Sequence, residues 1–162
     1  MHAFVSSRVD YCNSVFFNAA DKVIRKLQAI LNAAARLITG KRWSDRITSV
    51  LRDELHWLPI RQRIDYKLSS FVYRCLHDMA PQYLSETCTP IASLPGRRCL
   101  RSATHRCLHK PASRTSLFGP RSFRSSGPAT WNSLPPDARD PNLTFSQFKS
   151  RLKTHLFSLA YT

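Results

Sequence analysis

Residues 21–40 read DKVIRKLQAILNAAARLITG, and this stretch decides the fold class. Its apolar positions Val23, Ile24, Leu27, Ile30, Leu31, Ala34, Leu37 and Ile38 recur every three or four residues, the interval that brings side chains onto one face of an α-helix. Asp21 is placed to act as N-cap and Gly40 to stop the helix. Lys22, Arg25, Lys26 and Arg36 fall off the stripe and give the helix a basic solvent side.

Working outward, the same period continues in both directions. Phe4, Val5, Val9, Tyr11, Cys12, Val15 and Phe16 predict a helix from Phe4 to Phe17, followed by a turn at Asn18-Ala19-Ala20. Thr48 to Leu55 reads as a short helix before the turn His56-Trp57-Leu58-Pro59. Pro59 suits the first turn of a third helix, where its missing N–H has no partner to lose. Ile60, Ile64, Leu68, Phe71, Val72, Cys75 and Leu76 then mark a buried stripe as far as His77, with Arg61, Arg63 and Lys67 off it. Ala80-Pro81 restarts a short helical piece through Tyr83 and Leu84.

From Cys88 the texture changes. Seven of the ten prolines lie between Pro90 and Pro136, no helical period lasts beyond two turns, and an extended, loop-rich segment or a partly disordered one is expected. Order returns at the capping box Thr144-x-x-Gln147 and the stripe Phe145, Phe148, Leu152, Leu156 and Leu159, flanked by Lys149, Arg151 and Lys153. The expectation is a mainly α protein in three parts: a helical bundle at 1–86, a basic Pro-rich connector at 87–136, and a capped C-terminal helix at 137–162.

At 162 residues the chain buries roughly two-thirds of its unfolded surface on folding, so a real core is available. A hydrophobic content of 43% excludes a wholly disordered chain. No apolar run approaches the roughly 20 residues of a membrane span, and Met1-His2-Ala3-Phe4 lacks the start of a signal peptide, so an intracellular protein with no membrane partner is expected.

Charge is the dominant compositional feature. Twenty-five Lys plus Arg against ten Asp plus Glu leave a net +15. Between Thr87 and Pro136 there is no carboxylate, yet Arg97, Arg98, Arg101, Arg106, Lys110, Arg114, Arg121 and Arg124 all lie there. A guanidinium offers phosphate a bidentate fork, which makes RNA or DNA the expected partner. The candidate contacts are Lys22, Arg25, Lys26, Arg97, Arg98, Arg101, Arg106, Arg121 and Arg124. Trp43, Trp57 and Trp131 are candidate base-stacking groups, although Trp57, close to Leu55 and Leu58, reads as core.

Catalysis has little to work with. Two-metal phosphoryl transfer needs clustered carboxylates, and the chain holds no Asp-Asp pair; Asp53-Glu54 and Asp137 with Asp140 read as turn residues. Gly-rich phosphate loops, nucleophile elbows and H-E-x-x-H are missing from the sequence. Cys88, Cys99, His105, Cys107 and His109 are zinc-type residues without the C-x2-4-C knuckle, and His105, Cys107 and His109 alternate as on a short β-like segment. Cys12 and Cys75 read as buried free thiols. No catalytic residue, metal, cofactor or small-molecule substrate is expected.

Several of these stretches resemble, in order, the region downstream of the catalytic domain in reverse transcriptases of non-LTR (LINE-type, jockey-like) retrotransposons. Ser7-Arg8-Val9-Asp10-Tyr11-Cys12-Asn13 resembles the opening signature and Gln28-x-x-x-Asn32-Ala33-Ala34-Ala35-Arg36 the second. His56-Trp57-Leu58-Pro59-x-x-Gln62-Arg63, Leu76-His77-x-x-Ala80-Pro81-x-Tyr83-Leu84, Trp131-Asn132-Ser133-Leu134-Pro135 and the tail Phe145-x-x-Phe148-Lys149 with Leu152-Lys153-Thr154-His155-Leu156-Phe157 follow. The resemblance implies that residues 1–86 form a polymerase thumb that grips template-primer duplex. It also implies that the palm with its paired aspartates belongs before the equivalent of Met1. On that footing the chain is a non-catalytic piece of an RNA-directed DNA polymerase, with nucleic acid and the palm as partners and the nucleus as its place of action. A helical protein-interaction module, or a mobile-element remnant without selected function, are the rival expectations.

Overall fold

The computed structural model describes residues 7–95, 105–113, 115 and 118–161. Helix α1 spans Asp21–Thr39 and ends at Gly40, whose φ of 66° is the left-handed conformation that lets its N–H reach the Arg36 carbonyl. Ala20 occupies the N-cap, and Asp21 instead stands in the first turn, where a carboxylate favours the positive end of the helix dipole, and pairs with Arg61. The apolar stripe splits lengthwise: Ile24, Leu31, Ala34 and Ala35 are buried, while Ile30 is 55% and Leu37 72% exposed.

The chain forms two compact units, one of residues 1–64 with 155–162 and the other of residues 65–154. Beyond α1, the first unit holds α2, an α-helical turn at Ile47–Ser49 continuing as a π-helical stretch Val50–Glu54, and the opening turn of α3, which runs Ile60–Leu76. The turn before α3 is as the sequence predicts, with His56 at φ 50° and its Nδ1 2.8 Å from the Arg52 carbonyl. Pro59 supplies the carbonyl that accepts from the Arg63 N–H at 2.9 Å.

Side chains distant in sequence satisfy the first turn of α3. Gln28 on α1 accepts the Ile60 N–H at 2.9 Å through Oε1 while its amide donates to Asn32 at 2.8 Å. Arg63 Nη1 lies 2.8 Å from both carboxylate oxygens of Asp10, and its Nε donates to the Leu58 carbonyl at 3.1 Å. The Tyr161 hydroxyl, at the end of α6 (Phe145–Tyr161), donates to the Trp57 carbonyl at 2.6 Å.

The expected helix from Phe4 to Phe17 is interrupted. Of its described residues, 7–10 make a helical turn, Cys12 adopts φ 51°, and a 3-10 turn covers Asn13–Phe16. The break comes just after Asp10, which is committed to Arg63. It turns Cys12 outward, so this thiol is exposed where burial was expected, and Asn13 is buried instead.

In the second unit Tyr73 stacks on Phe148 with ring centroids 4.5 Å apart, and Trp131 lies 5.8 Å from Phe148. All three are buried with Leu68, Val72 and Leu152, and the Tyr73 hydroxyl donates to the Leu143 carbonyl. The α6 capping box forms as expected: Gln147 N–H donates to Thr144 Oγ1 at 3.3 Å and Thr144 N–H to Gln147 Oε1 at 2.9 Å. The short helix expected after Ala80-Pro81 is α4, Gln82–Ser85.

The expected loop-rich connector instead contains a core helix, α5, at Phe123–Ser133. Its Ser125, Ser126, Gly127, Pro128, Thr130 and Trp131 are buried. Such residues show no apolar period and have poor helix propensity, so tertiary packing rather than local preference holds the segment. A Cβ at Gly127 would lie 3.1 Å from Val72 Cγ2 and 3.2 Å from the Phe123 ring, so the missing side chain is what permits the close approach to α3. Asn132 pins the adjoining extended segment, its carboxamide accepting from Leu108 N–H at 2.8 Å and donating to Leu108 C=O at 2.9 Å. Leu108 also makes an isolated antiparallel bridge to Pro90, the one trace of the β-like segment expected there.

Two ion pairs separate by burial. The Arg63–Asp10 pair, with Arg63 only 13% exposed, is expected to be worth about 2 kcal/mol because its hydrogen bonds are charge-assisted and partly desolvated. Arg61–Asp21, at 55% and 71%, is expected to be worth about 0.5 kcal/mol or less. Urea unfolding of Arg63→Ala and Arg61→Ala checks the order, and equal losses would contradict it.

Cys88 and Cys75 are buried within hydrogen-bonding reach, and burial first, then Cys75, pushes the Cys88 thiol from an ordinary 9.0 up to about 12. Below pH 9 both folded and unfolded chains keep this proton; between 9 and about 12 only the unfolded chain releases it, so stability falls as pH rises through that window. Cys88→Ala is expected to flatten the fall by up to about 1 kcal/mol per pH unit. It will not abolish the fall, because burial also raises Tyr66, Tyr73 and Tyr161. Urea titrations at pH 8 and 10.5 provide the measurement.

Candidate nucleic-acid interface

The helical period that buries Ile24 and Leu31 turns Lys22, Arg25 and Lys26 outward within one turn of α1, and all three are exposed. The ion pairs among the described residues include Lys41–Glu54, Arg52–Asp53, Arg61–Asp21, Arg63–Asp10 and Arg106–Asp140. None engages Lys22, Arg25 or Lys26, so their charge is open to an external anion. The Arg52–Asp53 pair shows the opposite case, its hydrogen bond lowering the Asp53 carboxyl below the usual range and raising the guanidinium.

Toward the other end of α1, about 17 Å from Arg25 by helical rise, the Arg36 guanidinium lies 5.1 Å from the centre of the Trp43 ring. Trp43 is 82% exposed. Trp57 and Trp131 are buried, which removes both as stacking surfaces and leaves Trp43 as the tryptophan able to meet a base.

The remaining candidates separate in the second unit. Arg106 is half committed: its Nη1 is 3.7 Å from Asp140 and 3.4 Å from the Arg139 carbonyl. Arg124 is exposed and Arg121 partly buried. Arg97, Arg98 and Arg101 lie outside the described residues, as does Cys99. The zinc-type residues around them are dispersed to other contacts, Cys88 beside Cys75 and Cys107 against Arg139. Groups of three or more His, Cys, Asp or Glu suited to a metal do not occur among the described residues.

A basic group not among the expected contacts also lies in this unit. Arg74 on α3 and Lys149 on α6 both sit over the Phe145 ring, at 4.9 and 4.7 Å from its centre, and Lys67 lies 5.3 Å from the centre of Phe71. Lys67 and Arg74 are two turns apart on one helix face, a spacing present in the sequence. The convergence of Arg74 with Lys149 on Phe145 required the pairing of α3 with α6.

The arrangement suits phosphate contacts from separate exposed cations, with one stacking surface. The difference in burial predicts that acrylamide quenches Trp43 far more than the other two tryptophans. Trp43→Phe should therefore remove most of the quenchable emission and shift the remainder to the blue. A quenching curve unchanged in that variant would contradict the placement. Comparison of the chain with protein-family models, with curated proteins and with solved structures returns no match.

Proposed function

We propose that this chain binds nucleic acid through backbone phosphates, as a non-catalytic C-terminal piece of a non-LTR retrotransposon RNA-directed DNA polymerase. The observation that carries the binding is the exposed triad Lys22, Arg25 and Lys26, without a carboxylate partner among the described residues, on a chain of net charge +15. The family assignment rests on the ordered sequence signatures, and a nuclear site of action follows from it. In support, three of those signatures meet in the first unit, where Asp10 of the opening signature pairs with Arg63 of the third, and Gln28 of the second caps the helix that Arg63 belongs to. Neighbouring phosphates can be neutralised by such a face without any base being read, so affinity is salt-dependent and indifferent to sequence. Helices among the described residues include none long and apolar enough to cross a membrane.

One observation favours a protein-interaction reading beside it: Ile30 and Leu37, with Val23, form a row on α1 that stays exposed. In the polymerase reading this row meets the palm.

Titration of duplex RNA and DNA against salt tests the proposal. Neutralisation of about five phosphates gives a log–log slope of about −4 to −5, and Lys22, Arg25 and Lys26 changed together to Gln should reduce it by about two to three. Arg97, Arg98 and Arg101 changed together measure the connector's share by the same rule. Salt-independent binding, or none below physiological salt, overturns the proposal in favour of the protein-interaction reading, which pull-down of a polymerase palm then tests.

A further inference from the structure

The second unit buries one guanidinium that no carboxylate accompanies. Arg139 is 7% exposed, its Nη1 lies 3.0 Å from Cys107 Sγ, and its buried Nε has no hydrogen-bond partner. The adjacent carboxylate, Asp140, is used elsewhere: it lies 3.7 Å from Arg106 and accepts the Asn142 N–H at 3.0 Å. Arginine offers five donors and no acceptor, and a thiol sulfur is a weak partner, so the charge is left short of a complement among the protein's own groups.

Arg139 also lines a cavity of about 200 Å³ whose surface is mostly apolar, with Leu76, Leu108 and Trp131; His77 and the paired Arg106 and Asp140 stand in the same wall. Trp131 donates its indole N–H to the Arg106 carbonyl at 3.2 Å and Asn132 holds both backbone groups of Leu108, so the wall is anchored by its own hydrogen bonds. The exposed Ala92 stands among the lining residues.

We propose that this cavity is a binding site for a small apolar monocarboxylate, with the carboxylate neutralising Arg139 and the hydrocarbon body against the Leu108–Trp131 wall. A volume of about seven waters accommodates a benzoate-sized ligand and is too small for a nucleotide. Arg106 and Asp140 offset each other, so the lining carries one net positive charge that matches a single negative charge, whereas a phosphate dianion would bring a second. The planar guanidinium fork matches a carboxylate's two oxygens. The exposed triad Lys22, Arg25 and Lys26 does not belong to this site, which shares only Arg106 with the candidate phosphate contacts.

Isothermal titration and ligand-detected NMR on the full chain, with benzoate, benzamide and acetate as probes, test this. Benzoate is expected to bind at least about tenfold more tightly than benzamide, which lacks the charge, and than acetate, which lacks the body. Ala92→Trp, at an exposed position, should block benzoate by about tenfold or more while the far-ultraviolet circular dichroism and thermal unfolding stay those of the parent. Arg139→Gln should erase the preference for benzoate over benzamide; if that variant fails to fold, Ala92→Trp still decides. Equal binding of benzoate and benzamide, benzoate binding unchanged in Ala92→Trp, or none to the folded chain at about 10 mM overturns the proposal.

Discussion

The start of α3 is the constraint on which the first unit depends. A helix leaves its first four N–H groups without internal partners, and here one of them, that of Ile60, is met by a side chain from far away in sequence, while two further distant contacts hold the turn around it. Gln28 takes the Ile60 N–H across 32 residues, and Arg63 reaches Asp10 across 53. Tyr161 closes on the Trp57 carbonyl from the far end of the chain. Each bond couples a local need of α3 to a distant segment, so losing one exposes a polar group whose desolvation has already been spent. That asymmetry explains why a modest count of polar contacts can specify how α1, the segment at 7–16 and the end of α6 gather.

The second unit is organised by a different device. Its core is an aromatic stack, Tyr73 on Phe148 with Trp131 beside it, and the helix carrying Trp131 approaches α3 on small residues. Ser125, Ser126 and Gly127 contribute little apolar area; their value is that they occupy no space, so dispersion contacts with Val72 and Phe123 form at close range. Pro128 inside this helix forgoes the bond that an N–H there would make to the Arg124 carbonyl, a cost that the packing of the segment has to offset.

Electrostatics divide the cations by what surrounds them. Arg63 is tied into the framework, Arg106 shares itself between Asp140 and a carbonyl, and Arg139 is buried with sulfur as its partner. Lys22, Arg25 and Lys26 remain exposed, and Arg74 and Lys149 are held over an aromatic face that leaves their charge intact. With 25 basic against 10 acidic side chains, no arrangement can pair them all one to one, and apart from a buried exception such as Arg139 the surplus faces solvent. The charge that attracts a polyanion is therefore a property of composition, while its placement is a property of the fold.

The sequence by itself determined the helices whose apolar residues repeat at three and four: α1, α3 and α6 with its Thr144–Gln147 box, together with the turns at Gly40 and His56, because these depend on interactions within a few residues. It also determined the net charge and the outward placement of Lys22, Arg25 and Lys26, which the buried stripe of the same helix dictates. Only the tertiary structure decided that Cys12 faces out, that Val23, Ile30 and Leu37 leave the core while Ala35 enters it, and that Ser125 to Trp131 is a buried helix. It likewise decided that Arg74, Lys149 and Phe145 form one cluster and that Trp57 and Trp131 are withdrawn from any partner. The reason is common to all of these: a helical period states which residues share a face, and a small-residue segment states nothing at all, until a neighbouring element arrives to cover one side and leave the other open.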